Sequence, residues 1–375
     1  MEAKRLVEFI TMAPTAGDGA FIGAKNKKIG GRSVVDETAE REPTLEYIKA
    51  IAQAAEQGGF SSLLLPTGTN CLDSLAVAAN LINHTETLNF LFAVRPGSMA
   101  PATFAKQFAT VHYWSGGRAL VNIVTGGSPT ELASQGDFFD HRARYERTRE
   151  YIQVLNKFFT EDVFTHHGEH FQLENASLYP KLASKPPIYF GGSSDIALDV
   201  AAAEADVYML WGETLELSAE RLSEIKKRAA ATGRQLSYSI SFQVVLGDTE
   251  KEAYEKANSI VSKSQQAALE EKNNLAYKGE SVGVKQLHDL MENSKDKNFH
   301  IGPNIWAGLT QVLSGNSIAL VGTPDQVSER IIEFVDLGFD KVLLRGFPHL
   351  ETIKEVGELV IPKVREKLAQ RQTIK

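Results

Sequence analysis

The stretch PPIYFGGSSDIALDVAAAEADVYMLWGE, residues 186–213, reads as one complete structural unit. Pro187–Gly191 is a short apolar run closed by glycine, the pattern of a buried strand. Asp195–Ala203 is rich in Ala, Leu and Val without a breaker, the pattern of a helix. Asp206–Leu210 is a second buried run. Two such strands joined through a helix are parallel neighbours with a right-handed crossover.

Outward from this unit the alternation repeats. Leu6–Thr11, Ser61–Pro66, Leu88–Val94 and Ala119–Val124 precede it as strands; Tyr238–Leu246 and Lys341–Arg345 follow. Between them lie helical patterns at Thr44–Gln57, Asp73–Asn83, Pro101–Tyr113, Arg142–Phe159, Leu215–Thr232, Thr249–Ser264 and Thr323–Leu337, and Leu350–Leu368 closes the chain. About eight strand–helix units predict a closed (β/α)8 TIM barrel of the α/β class, with an open doubly wound sheet as the alternative. Residues 1–375 read as a single barrel domain. Met12–Pro43, Asp162–Lys185 and Gln265–Ile301 interrupt the pattern. Loops after strands cover the C-terminal face of a barrel, so the first and last are candidate lids. The middle one reads as a hairpin with His166, His167 and Gly168 near its turn.

Composition narrows the partners. Forty basic against 47 acidic residues leave a net charge of −7, and 43% of residues are hydrophobic. Such a chain folds, and it lacks the basic excess that non-specific nucleic-acid binding needs. No run approaches the roughly 18 apolar residues of a membrane span. The single cysteine, Cys71, permits neither an internal disulfide nor a cysteine-based zinc site, which fits a cytoplasmic protein.

In a barrel, ligand-contacting residues come from the C-terminal ends of strands. Those ends offer Thr67, Arg95, Thr125, Ser193 and Ser194, Trp211, Ser241 with Gln243, and Arg345. Gly191-Gly192-Ser193-Ser194 lies between a strand and a helix start, where glycines admit a ligand and hydroxyls and free N–H groups donate to an anion. Taken alone, the same turn reads first as a serine N-cap on a tight turn. His141 and Tyr145, four apart at a helix start, share a face and either complete a phosphate cradle or simply pack. Arg345 lies two residues before Phe347 on a strand, so the two share a face.

Other motifs fail. The glycines at 17, 19 and 23 are mis-spaced for a dinucleotide fingerprint. The order His166-His167-Gly168-Glu169-His170 is not that of a zinc-protease helix, so no metal is expected. Cys71 has no adjacent histidine and reads as a structural thiol.

Several motifs together resemble the bacterial luciferase-like superfamily, and within it the alkanesulfonate monooxygenases. They are Leu65-Pro66-Thr67-Gly68 with Cys71 and Asp73, Gly117-Arg118-Ala119-Leu120 with Asn122 and Thr125-Gly126, Asp140-His141 with Arg144-Tyr145-Glu146, Tyr189 to Asp195, Trp211-Gly212-Glu213, Trp306-Ala307-Gly308, and Pro348-His349-Leu350-Glu351. The resemblance is collinear over nearly the whole chain. It implies a two-component monooxygenase that takes FMN as FMNH2 from a separate NAD(P)H:FMN reductase, uses O2, and assembles as a homo-oligomer, dimer or tetramer. It places the FMN phosphate at His141, Tyr145, Ser193 and Ser194, the flavin ring near Thr67, Asn122 and Thr125, and a mobile lid at Gln265–Ile301. The alternatives are a relative using another flavin or deazaflavin, or a non-catalytic flavin binder.

This chain departs from that branch at the sulfonate site. Ala16, Ser241, Gln243, Leu313 and Phe347 stand where the branch has His, Arg, His, Arg and Tyr. The expected substrate is therefore a small organosulfur or related compound held differently, with Gln243 and Arg345 orienting it and Trp211 walling the pocket.

Overall fold

The structure, a computed structural model, describes residues 7–21, 41–270 and 280–373. Eight parallel strands form its centre: β1 (Glu8–Met12), β2 (Ser62–Leu65), β3 (Asn89–Val94), β4 (Ala119–Ile123), β5 (Ile188–Gly191), β6 (Val207–Trp211), β7 (Ser237–Leu246) and β8 (Lys341–Arg345). Each pairs with the next, β8 pairs with β1, and β7 pairs with both β6 and β8, so the sheet closes. The protein is a (β/α)8 TIM barrel, and the open sheet is excluded.

Side-chain alternation separates two cores. Ile10, Leu91, Tyr189, Val207 and Leu343 point inward and pack with Leu64, Leu120 and Met209. The intervening residues, among them Phe9, Leu63, Phe90, Phe92, Phe190 and Phe242, pack outward against the helices. The lower end of the barrel is pinned by an ion pair between Lys341 Nζ and Glu8 Oε1 at 2.7 Å. At the upper end the inward positions are Met12, Asn122, Gly191, Trp211, Ser241 and Arg345, which meet a cavity rather than one another.

The helices start where the capping residues stand. Thr44, Asp73, Asp140 and Thr323 were expected as first helical residues or lie just outside them; each is an N-cap whose side chain accepts a backbone N–H. The last expected helix is two, His349–Glu355 and Ile361–Thr373, joined by a π turn at Val356–Val360. There Gly357 meets the backbone of Gly58: a Cβ on Gly357 would lie 2.5 Å from the Gly58 Cα. Two bare backbones are what allow that approach.

The hairpin is present, as Phe164–His167 paired with Gln172–Ala176. Buried Glu150 ties it down, accepting from the backbone N–H groups of His170 (2.9 Å) and Phe171 (2.8 Å) and lying 3.0 Å from His166 Nε2. Gln265–Ile301 differs from its loop-like reading. The preceding helix runs on to Glu270, and a further helix covers Val282–Glu292. Beyond it, His300–Gly302, Ile305–Trp306 and Ala319–Gly322 extend the sheet from the upper half of β7. Residues 22–40 and 271–279, the middles of the two candidate lids, lie outside the described residues. No described helix is long and apolar enough to cross a membrane.

Candidate active site

A cavity of about 560 Å3 opens at the C-terminal end of the barrel. Of the candidates read from sequence, Thr67, Asn122, Thr125, His141, Tyr145, Ser193, Ser194, Trp211 and Arg345 all line it. Gln243 does not. It is fully buried beneath the Ser314–Asn316 loop, and its Nε2 donates to the Asn316 carbonyl at 2.8 Å. Its expected direct contact with substrate is therefore replaced by support of a loop that does line the cavity. Phe347 also stands outside the lining, with its ring edge-on to His349 at 5.4 Å. Arg345 reaches the cavity without it.

The turn after β5 leaves a helix start without its side-chain cap. Ser194 is the N-cap of the helix Asp195–Glu204, yet its side chain makes no capping bond. Thr44, Asp73, Asp140, Thr214, Ser281 and Thr323 all do so at their own helices. The Ser194 hydroxyl is buried and makes no bond to the helix N–H groups; the polar group it interacts with is the neighbouring Tyr145 hydroxyl. The N–H groups of the first turn thus stay uncapped, at the end of a helix whose dipole favours negative charge. The simple N-cap reading of this turn is set aside by that geometry.

Its surroundings hold the turn rigidly. The buried Tyr208 hydroxyl donates to the Gly192 carbonyl at 2.7 Å. A planar trans peptide then turns the Ser193 N–H to the opposite side. A Cβ on Gly192 would sit 2.6 Å from the Ala197 Cβ and 3.1 Å from the Tyr145 hydroxyl, so the position admits only glycine. Tyr145 and His141 face the turn from the helix His141–Thr160, their rings 4.9 Å apart. Burial raises the Tyr145 pKa, so its hydroxyl keeps its proton and can donate.

The remaining walls are polar on one side and apolar on the other. Thr148 spends its hydroxyl proton on the Arg144 carbonyl at 2.7 Å, so the 3.1 Å contact with Thr125 is donated by Thr125. Asn122 has no side-chain hydrogen bond to any described residue, leaving its amide for a ligand. Glu131 and Arg95 are paired at 3.0 Å. Cys71 lies outside the lining, and burial raises its thiol pKa, which makes it a poor nucleophile.

Sequence reasoning held Met12 and Ser281–Val284 only as unnamed parts of the two candidate lids and missed Ser314–Asn316; all of them line the cavity. Trp211 is wedged between the last two segments. A Cβ on Gly283 would lie 3.1 Å from its ring and one on Gly315 would lie 3.5 Å away. The only signals were Gly283 and Gly315 themselves, isolated glycines in polar sequence. The segment at 280–284 is fastened by Arg144 to Glu280 at 3.0 Å and by the Glu280 N–H to the Gly127 carbonyl at 3.2 Å. Next to it, burial raises the pKa of Glu213, which Arg221 clasps at 2.7 Å while also reaching Gln286 at 2.8 Å.

Comparison with known proteins places this architecture. Residues 21–341 match the family described as luciferase-like monooxygenase. Among solved structures, the EDTA monooxygenase from Chelativorans sp. BNC1 is 18% identical, with a TM-score of 0.74 over 96% of this chain and 94% of that one. DmoA from Hyphomicrobium sulfonivorans is 18% identical with a TM-score of 0.73, over 97% of this chain and 89% of that one. An F420-dependent secondary alcohol dehydrogenase, solved with an F420–acetone adduct, is also 18% identical, with a TM-score of 0.66 over 96% and 99%. At these identities the structural matches establish a shared fold.

Proposed function

This chain belongs to the luciferase-like monooxygenase family, and from that premise we propose that it is a flavin-dependent monooxygenase working with reduced FMN on a small organosulfur or related substrate. The observation that carries the cofactor reading is the uncapped helix start at Ser194, with its buried hydroxyl beside the Tyr145 phenol and the glycine-only position before it. A phosphate monoester fits that donor set: two serine hydroxyls, a protonated phenol, first-turn N–H groups and the neighbouring His141.

Bound there, reduced FMN supplies two electrons to O2, so that one oxygen atom reaches the substrate and the other leaves as water. The chain's own residues do the rest. Ser193, Ser194, Tyr145 and His141 hold the phosphate. Thr67, Asn122 and Thr125 orient the ring from β2 and β4. Trp211, clamped between Gly283 and Gly315, closes a wall against water, which protects a reduced flavin from wasteful reaction. The one carboxylate among the described lining residues, Glu131, is tied to Arg95 and to the Thr69 N–H at 3.0 Å, so it is not poised as a base. A separate NAD(P)H:FMN reductase completes the system. The alkanesulfonate-type motifs favour sulfur compounds, and the altered sulfonate positions favour a different mode of holding them.

Ser193→Ala combined with Ser194→Ala is expected to weaken FMNH2 binding by about 1–3 kcal/mol, as lost charge-assisted hydrogen bonds do. Anaerobic titration measures it, and unchanged affinity would remove the phosphate site. A panel of alkanesulfonates, sulfones and aldehydes with a generic flavin reductase, scored by product, tests the reaction. Product above the free-flavin background supports it. Turnover only with a deazaflavin would replace it.

A further inference from the structure

The formal charges on the cavity lining do not cancel. Its described ionisable residues are Arg95, Glu131 and Arg345, besides His141 and Tyr145. Arg95 and Glu131 neutralise each other at 3.0 Å. Arg345 has no carboxylate partner among the described residues. Its Nη1 meets only the Met12 sulfur at 3.3 Å, its Nη2 only the Asn316 carbonyl at 3.3 Å, and its Nε has no partner at all. A guanidinium carries five N–H donors in a rigid fork matched to an oxyanion. Here most of that capacity is unused on the wall of a cavity.

The site is held in place independently of any ligand. Arg345 is on the inward face of β8, directly opposite Gln243 in the β7 register. The Gln243 amide donates to the same Asn316 carbonyl that receives Arg345. Burial without a counter-charge pushes the guanidinium pKa down to about 10, while the side chain stays partly open to the cavity. The strand order also separates it from the phosphate turn: β6 and β7 stand between β8 and β5. Trp211, Met209 and Leu343 supply apolar lining in this part of the barrel.

We propose that Arg345 is the counter-ion for an acidic group of the substrate, so that the protein acts on small organic oxyanions, sulfonates or carboxylates, held from β8. The assignment rests on the flavin monooxygenase reading, because it is the flavin phosphate that claims the other anion site. It also assigns the anion to a residue on a different strand from Ser241 and Gln243, where the resemblance would have put it.

The test uses the full chain loaded with oxidised FMN, so that binding is read without turnover. Calorimetry compares ethanesulfonate with ethyl methyl sulfone, and propionate with butanone, on the unaltered protein, Arg345→Met and Arg345→Lys. In the unaltered protein at least one anion binds about tenfold to a hundredfold tighter than its uncharged partner. Arg345→Met abolishes that preference, Arg345→Lys keeps part of it, and FMN affinity moves by less than about twofold in either variant. Whichever anion gains more identifies the acid group. FMN binding intact with no anion preference overturns the assignment alone. An Arg345→Met variant that loses FMN affinity, not anion preference, also overturns it, since Arg345 then serves the flavin. Failure of the unaltered protein to bind FMN overturns the flavin reading and this assignment with it.

Discussion

Gly192→Val is expected to cut FMN affinity by about a hundredfold or more while the barrel still folds. The space that a side chain would need is taken. The Ala197 Cβ, 2.6 Å from a Cβ at this position, belongs to a fully buried residue and cannot rotate away. The Tyr145 hydroxyl is 3.1 Å away on the other side. The turn must therefore move off the helix start, which carries the Ser193 N–H and both serine hydroxyls out of register with the first-turn N–H groups. Overpacking of this kind costs the fold about 1–3 kcal/mol, so thermal unfolding separates the two effects. A variant that unfolds normally and binds FMN as tightly as the parent would show that the turn does not hold the phosphate.

Asp18→Ala is expected to lower the unfolding free energy by about 3–5 kcal/mol, because it leaves several buried donors without a partner at about 1–3 kcal/mol each. Asp18 is 0% exposed and fully used. It accepts from the His349 N–H at 2.9 Å, from His349 Nδ1 at 2.8 Å, from the Gly19 N–H at 2.8 Å and from the Tyr47 hydroxyl. Those bonds staple the loop after β1 to the start of the helix His349–Glu355 and to the first helix, Leu45–Gln57. Burial alone would raise the Asp18 pKa; the His349 charge and the hydrogen bonds from His349 and Tyr47 outweigh it and hold it below the usual value. A carboxylate with a depressed pKa adds stability that is complete above its unfolded value, near pH 4, and is lost as pH falls through the lower folded value. The difference between parent and Asp18→Ala should accordingly be constant at neutral pH and shrink in acid. Urea denaturation at pH 7 and pH 3 measures it. A loss below about 1 kcal/mol at pH 7 would mean the network is replaceable by water.

The parts of this molecule that were legible in the sequence are those whose signal is local. Buried parallel strands are near-continuous apolar runs, so all eight barrel strands stand within a residue or two of their expected ends. That Gly191–Ser194, His141 and Tyr145 meet at one cavity was legible because a strand-to-helix turn and a helix start are both local in sequence. Strand parity tied Arg345 to Phe347, yet Arg345 lines the cavity and Phe347 does not, because the strand ends at Arg345. Gln243 obeys the same parity, yet the Ser314–Asn316 loop lies over it, and which loop covers which strand end is a tertiary fact. The same limit hid which residues of the Gln265–Ile301 candidate lid reach the cavity, namely Ser281–Val284. Its cavity-lining role comes from the docking of the helix Val282–Glu292 against Trp211, and no periodicity encodes which helix end meets which strand end. The three added strands at 300–322 are two to four residues long, below the length at which alternation is readable.

The most direct measurement is an anaerobic comparison of reduced FMN with reduced riboflavin, identical ligands except for the phosphate. A cradle of charge-assisted bonds at Ser193, Ser194, Tyr145 and the helix start predicts FMN tighter by about a hundredfold or more, with most of that margin lost in the double serine variant. Equal affinity for the two would mean that nothing at this corner of the barrel grips a phosphate, and the flavin account built on it would fall.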